Sequence, residues 1–438
     1  MKKARALAAA GALSLGTALA AAMPAAASAP ASPGLLAASV SMVPCGVRSS
    51  GAELYISAGF WAYRVNEGSG QLALVAGTGS SYVGQPGSNI PAVTASLMNT
   101  CGMAADPAGN LLLADDSYIR VIAKASSFYN QIVAGNIYTL GSISYPYLSF
   151  TFRDAVDVSS DPAGNVIAAS EGSESSHTDQ EYDSIVYLIA EQTGTFYGQR
   201  VTRGKMYAVA GNLDDYTPGN KVPAVSADLG DTIGSVRLDS SGNLVIAESG
   251  SNGQGGPQQQ GPVVYPAIRV VPDRTGTYYG QLMKAGYIYT IAGGLKGSPA
   301  GNGTPAVKSP LSSAMSVAMD HAGNVVIADD TRVRVIAKST GTFYGQKMKA
   351  GDIYAIAGSG TGKFSGNGGL ATRAVFTANE VSVDNAGNVL VADSPDCRVL
   401  AIAPRTGTFY GMKMLAGHLY SVAGNGRAPL VPRARALR

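Results

Sequence analysis

Short apolar runs closed by polar turns recur along almost the whole chain, and none shows the 3.6-residue spacing of an amphipathic helix. The turn itself repeats. Asp106-Pro-Ala-Gly-Asn110, Asp161-Pro-Ala-Gly-Asn165, Asp239-Ser-Ser-Gly-Asn243, Asp320-His-Ala-Gly-Asn324 and Asp384-Asn-Ala-Gly-Asn388 each precede an apolar run such as Val325-Val-Ile-Ala328 or Val389-Leu-Val-Ala392. Asp opens such turns by accepting backbone hydrogen bonds, and Gly or Asn supplies positive φ. A second run follows (Val333-Arg-Val-Ile-Ala337, Arg398-Val-Leu-Ala-Ile402), then a third (Tyr289-Thr-Ile-Ala-Gly293, Tyr354-Ala-Ile-Ala-Gly358), and one more lies ahead of each turn.

Four short strands per unit, repeated, predict an all-β fold: a β-propeller of four-stranded antiparallel blades. A degenerate first copy, in which Pro44-Cys-Gly-Val-Arg48 aligns with Thr100-Cys-Gly-Met-Ala104, brings the expected count to six. The strands are apolar on both faces, as blades packed between two neighbours require. Closure is expected near residues 43–48 against 421–424.

The pattern Asp-x-x-Gly-Asn-apolar-Ala-Asp, then Arg-Val, then Ala-Gly, resembles NHL repeats, in particular those of secreted bacterial proteins and teneurins. Phe364-Ser-Gly-Asn-Gly-Gly-Leu-Ala-Thr-Arg-Ala374 with Val381-Ser-Val-Asp384 carries it most specifically. Weaker echoes are Pro91-Ala-Val-Thr-Ala-Ser-Leu97, Pro223-Ala-Val-Ser-Ala-Asp-Leu229 and Pro305-Ala-Val-Lys-Ser-Pro-Leu311. The resemblance spans about residues 34–424 and implies the propeller. It implies no activity, because such rings host unrelated functions. Unit 3 departs from the pattern with Ala169-Ser170, and unit 1 lacks the opening Asp.

Ahead of the repeats, residues 1–29 read as a secretory signal peptide. Lys2, Lys3 and Arg5 precede an Ala/Leu run, and cleavage is expected after Ala27. The expected location is secreted, with possible attachment to the cell envelope. The propeller then occupies residues 30–424, and 425–438 form a basic tail expected to be disordered. Removing Lys2, Lys3 and Arg5 from the 32 basic residues leaves as many bases as the 29 acids, so no basic nucleic-acid footprint exists. No later apolar run is long enough for a membrane helix.

Within four units an acid ends the second strand and an arginine begins the third: Asp115 with Arg120, Glu248 with Arg269, Asp329 with Arg334 and Asp393 with Arg398. Unit 3 has Ser170 and Val186 instead, and joint loss predicts local ion pairs. Thr195-Phe-Tyr-Gly-Gln199, Thr277-Tyr-Tyr-Gly-Gln281, Thr342-Phe-Tyr-Gly-Gln346 and Thr408-Phe-Tyr-Gly-Met412 form another repeated element. It either exposes a ring of aromatics for binding or covers its own blade, and the second reading is favoured.

Candidate chemistry is sparse. His177, His321 and His418 stand at different repeat positions, and no C-x-x-C, H-E-x-x-H, P-loop or G-x-S-x-G motif occurs. No metal, cofactor or catalytic set is expected. Six-bladed lactonases and amidating lyases resemble this ring but gather acid, Asn or His ligands at the channel mouth. Here that position reads Gly46, Gly102, Asp157, Ser235, Ser316 and Glu380, with its two acids in opposite blades.

The expected function is a non-enzymatic binding scaffold, a monomer recognising a protein or glycan. The alternative is an extracellular hydrolase or lyase with a channel-mouth site. Insertions in repeat proteins commonly carry binding. The candidates are the loop bearing Glu171, Glu174, His177, Asp179, Glu181 and Asp183, and the adjacent one bearing Asn252, Gln254 and Gln258. Cys45 and Cys101 share one repeat position and are candidates for a disulfide between adjacent blades. Against that, equivalent positions point the same way around the ring. Cys397 is expected in the third strand of its unit as a buried free thiol.

Overall fold

The computed structural model describes residues 35–81, 86–124, 132–140, 154–176, 179–212, 219–230, 232–250 and 263–429. It is an all-β, six-bladed propeller. From the channel outward, blade 1 is Gly46–Ser50, Glu53–Ser57, Ala62–Asn66 and Leu72–Ala76. Blade 2 is Met103–Ala105, Leu111–Asp115, Tyr118–Ile122 and Asn136–Thr139; blade 3 is Asp154–Ser160, Val166–Ser176, Asp179–Ile189 and Met206–Ala210. Blade 4 is Ile233–Leu238, Leu244–Glu248, Ala267–Val271 and Tyr287–Gly293; blade 5 is Ser316–Met319, Val325–Asp329, Arg332–Ile336 and Asp352–Ala357. Blade 6 is Glu380–Val383, Val389–Asp393, Arg398–Ile402 and Leu419–Ala423. All pairings are antiparallel, and each inner strand touches those of both neighbours. No helix among the described residues is long and apolar enough to cross a membrane.

The repeated turn explains itself. Asp106 Oδ1 accepts the Asn110 backbone N–H at 2.8 Å, Oδ2 accepts the Asn110 side-chain amide at 2.8 Å, and Asn110 Oδ1 accepts the Lys124 N–H at the end of the third strand. The glycine of each copy has a φ near +80° (Gly109 82°, Gly323 78°), which favours glycine. One Asp-Asn pair thus ties three strands of a blade together, and the blades around Asp320 and Asn324 repeat it.

The linkers close the ring. Among the described residues, five of them form a short 3₁₀ turn beginning at a buried alanine (Ala37, Ala92, Ala224, Ala306, Ala371), where a larger side chain would push the linker off the blade. The alanine carbonyl accepts the N–H of the glycine that ends the preceding blade: Gly77 to Ala92 (3.1 Å), Gly211 to Ala224 (3.0 Å) and Gly358 to Ala371 (2.9 Å). Gly424 donates to Ala37 in the same way at 3.0 Å, and Asn425 N–H to Val40. The outer closure therefore lies at Ala37 and Val40, ahead of the stretch expected from the sequence. The core fills the spaces between blades; Val326, Val335, Phe376, Val391 and Leu400, for example, share one cluster between blades 5 and 6.

Several sequence readings are corrected. Asp393 and Arg398 do not form an ion pair. The hairpin of blade 6 is two residues longer than those of blades 2 and 5, so Arg398 lies opposite Asp393 in register. The strand position held by Arg120 opposite Leu113 and by Arg334 opposite Ile327 belongs in blade 6 to Leu400, opposite Val391. Arg398 instead donates to Ser421 Oγ at 3.2 Å and lies 4.7 Å from the Phe364 ring. In blade 3 the arginine's place is taken by Tyr187, opposite Ala168, not by Val186. Cys397, a buried free thiol with φ 52°, sits in the turn ahead of the third strand.

Candidate site in the central channel

The inner strands present alternate residues to the channel. At the first layer the side chain of one blade accepts a backbone N–H of the next: Asp157 Oδ2 from Val236 (2.8 Å), Ser235 Oγ from Val317 (2.8 Å), Ser316 Oγ from Val381 (3.3 Å) and Glu380 Oε2 from Val47 (2.7 Å). These N–H groups lie on unpaired inner edges and need acceptors. Gly46 and Gly102 break the series, because a Cβ at Gly46 would collide with the Cys101 carbonyl and one at Gly102 with the Asp157 backbone. There the Cys45–Cys101 disulfide, with Cα atoms 5.0 Å apart, joins blades 1 and 2.

Two residues further along the inner strands stand Arg48 in blade 1 and Arg237 in blade 4. Arg237 Nη1 bonds Asp157 Oδ2 and the Val236 carbonyl, while Nη2 reaches Glu380 Oε1 at 2.9 Å. Arg48 Nη2 meets the same Glu380 oxygen at 3.2 Å, and its Nε donates to the Met103 carbonyl at 2.9 Å. Side-chain exposures are 11% for Arg48, 9% for Glu380, 7% for Arg237 and 3% for Asp157. Blades 1 and 4 face each other, as do 3 and 6, so two arginines and two acids form a neutral cross that closes the channel. The two acids do not share an ion; Arg237 spans them. Sequence reasoning missed both arginines. The signal was the strand period of two, which places Arg48 and Arg237 where the other units have Ala104, Ser159, Ala318 and Ser382.

Burial pushes Glu380 up to about 7, against the pull of Arg48 and the Val47 N–H. Asp157 is also held well above the usual carboxylate range, first by burial and further by Glu380, with Arg48 opposing. Similar burial raises Glu67 to about 7, Asp393 to about 7 and Asp115 to about 6. A carboxyl with a raised folded-state value binds its proton more tightly when folded. Its contribution to stability is complete below the unfolded value near ~4 and is lost as pH rises through the folded value. The urea midpoint is therefore expected to be higher at pH 5 than at pH 8. Equal midpoints, or a higher one at pH 8, would contradict the set of raised values.

The other sequence-predicted residues divide clearly. Arg120 Nη1 lies 3.0 Å from Asp115 Oδ2, Arg269 Nη1 3.1 Å from Glu248 Oε2 and Arg334 Nη1 3.3 Å from Asp329 Oδ2, all buried within their blades. Asp393 Oδ2 is buried with no hydrogen-bond partner. The aromatic repeats are small hairpins, such as Gly341–Phe343 with Gln346–Met348, whose Tyr-Gly turns carry positive φ at both residues (Tyr344 52°, Gly345 74°). The tyrosine hydroxyls donate to the repeated aspartate of their own blade: Tyr279 to Asp239 (2.9 Å), Tyr344 to Asp320 (2.9 Å) and Tyr410 to Asp384 (2.7 Å). Gln199, Gln281 and Gln346 donate to outer-strand carbonyls. These hairpins hold the blades together.

The blade 3 insertion extends the second and third strands into an eleven-residue pairing, with Glu171 opposite Ser184, Glu174 opposite Glu181, and Ser176 opposite Asp179. His177, Asn252, Gln254 and Gln258 lie outside the described residues, as do residues 1–29 and most of the tail, 430–438. No group of three or more His, Cys, Asp or Glu that could hold a metal occurs among the described residues.

No family model matches the chain, and no curated protein matches it. Among solved structures it is similar to a gluconolactonase of Xanthomonas campestris, at 13% identity over 82% of this chain and 86% of that one (TM-score 0.42). It is likewise similar to an auxiliary nutrient binding protein of Bacteroides ovatus (14% identity, 80% and 65% covered, TM-score 0.44). A third is the PQQ-bound aldose sugar dehydrogenase of Streptomyces coelicolor (12% identity, 85% and 92% covered, TM-score 0.38). Likenesses this distant carry no argument about chemistry. The class rests on the blades themselves, and it is the six-bladed β-propeller.

Proposed function

We propose that the protein is an exported, non-catalytic binding scaffold of the NHL-repeat kind, recognising a protein or glycan through the insertions of blades 3 and 4. One observation carries this reading: the channel, where a propeller enzyme would gather its ligands, is filled by the Arg48–Glu380–Arg237–Asp157 cross. A cation entering there would face two guanidinium groups already bound to the available carboxylates, so these residues do not fit a metal. The repeated acids, tyrosines and glutamines serve the blades, which leaves the non-repeating insertions as the surfaces free to differ for recognition.

The test uses the protein cleaved after Ala27, with and without residues 171–183, incubated with cell-envelope fractions. Those residues extend beyond the four-stranded part of blade 3, so the deletion is expected to leave the melting temperature within a few degrees and to abolish retention. Retention unchanged by the deletion would sink the reading. Turnover of a lactone or amidated peptide, lost in an Asp157→Asn variant, would instead favour the channel enzyme.

A further inference from the structure

Along the outer strand of blade 4, facing blade 5, runs a cleft of about 770 Å³. Small-ligand sites typically measure roughly 300–1,000 Å³. Glu248 and Arg269 line it, with Tyr265, Gln281, Lys338 and Val307 around them.

The ion pair in this cleft differs from its equivalents. In blades 2 and 5 the acid uses one oxygen for arginine and the other for a linker N–H: Met98 donates to Asp115 Oδ1 at 2.6 Å, and Ser312 to Asp329 Oδ1 at 2.7 Å. In blade 4 the acid is one methylene longer, and the corresponding N–H, that of Gly230, is taken by Asp228 Oδ1 at 2.6 Å. Glu248 Oε1 is left buried with no hydrogen-bond partner, and so is Nε of Arg269. A buried acceptor left in this state is costly, because the hydrogen bonds it gave up to water are not replaced.

An orphaned acceptor and an orphaned donor on the two partners of one ion pair suit adjacent hydroxyls, one donating to the carboxylate and the other accepting from the guanidinium. A phosphate or carboxylate ligand brings no donor for Glu248. The half-buried Tyr265 ring offers an apolar surface for the C–H face of a sugar ring. Gly230 leaves room for about one heavy atom beside this oxygen: a Cβ there would stand in ordinary contact, 3.7 Å from Glu248 Oε1 and 3.6 Å from Val264 Cγ1.

We propose that this cleft binds a neutral oligosaccharide, with vicinal hydroxyls on Glu248 Oε1 and Arg269 Nε and a sugar ring against Tyr265. The cleft borders the end of the blade 4 insertion at Val263 and Tyr265 but takes no residue from the blade 3 insertion, so the blade 3 assignment and this one can fail separately. The test is calorimetric titration of the full chain with maltohexaose, cellohexaose, mannohexaose and chitohexaose. At least one is expected to bind, with Glu248→Gln and Tyr265→Ala each weakening it at least tenfold. Tyr265 makes no hydrogen bond among the described residues, so its variant is expected to keep the wild-type urea midpoint. Deleting residues 171–183 is expected to leave the sugar affinity unchanged. Absence of binding by all four sugars at millimolar concentration overturns the proposal, as does binding that neither variant weakens.

Discussion

Replacing Arg237 with methionine is expected to lower the unfolding free energy by about 3–5 kcal/mol at pH 7.5, because it leaves Asp157 and one contact of Glu380 buried without their counter-charge. The size of the effect comes from the uncompensated acids, not from the worth of the pair, since taking charges out of water offsets most of what their attraction contributes. Two further measurements separate this from a packing loss. The deficit is expected to shrink at pH 5, where Glu380, titrating at about 7, is protonated and no longer needs the guanidinium. The same change at Arg64, whose pair with Glu53 is exposed at 3.5 Å, is expected to cost less than about 1 kcal/mol. A deficit that is equal at both pH values would mean that Arg237 acts through its hydrocarbon stem.

The blades were legible because their determinants are local. An Asp and an Asn four positions apart define the turn, and the hydrophobic period of the next runs defines the strands. The pairs Asp115–Arg120 and Asp329–Arg334 were legible for the same reason, since both span a two-residue turn. The same spacing misled at Asp393 and Arg398, where residues 394–397 lengthen the hairpin and shift the register by a full side-chain repeat. Five positions in sequence then no longer mean the same place on the strand. The channel cross was out of reach of hairpin logic altogether. Its four charges come from four blades, between 80 and 332 residues apart where they bond, and only the inner-strand columns bring them into one view. The cleft was hidden differently. Glu248 looks like any other acid of the series, and its free oxygen appears only when Asp228 is seen to hold the N–H that its counterparts receive.

Blade 1 depends on the disulfide more than the fold as a whole does, and its removal is the second large effect. The side-chain acceptors that join inner strands from blade 3 round to blade 1 stop at Gly46; at the junction with blade 2 the Cys45–Cys101 bond and Arg48 Nε on the Met103 carbonyl take their place, beside Ser57 Oγ donating to the Cys101 carbonyl and Thr100 Oγ1 to the Gly59 carbonyl. The bridge encloses a separation of 56 residues, for which constraint of the unfolded chain gives about 2–4 kcal/mol. A Cys45→Ser/Cys101→Ser variant is expected to lose about that much. The loss should fall unevenly: hydrogen exchange should quicken first in Gly46–Ser50 and Met103–Ala105, while Ser316–Met319 and Glu380–Val383 keep their protection. Thiol titration of the unfolded, unreduced protein should find Cys397 alone, and three reactive thiols would show that the bridge does not form. Uniformly faster exchange would place the bond's effect in the unfolded chain only, whereas a change confined to blades 1 and 2 would make it the substitute for the acceptor that Gly46 cannot provide.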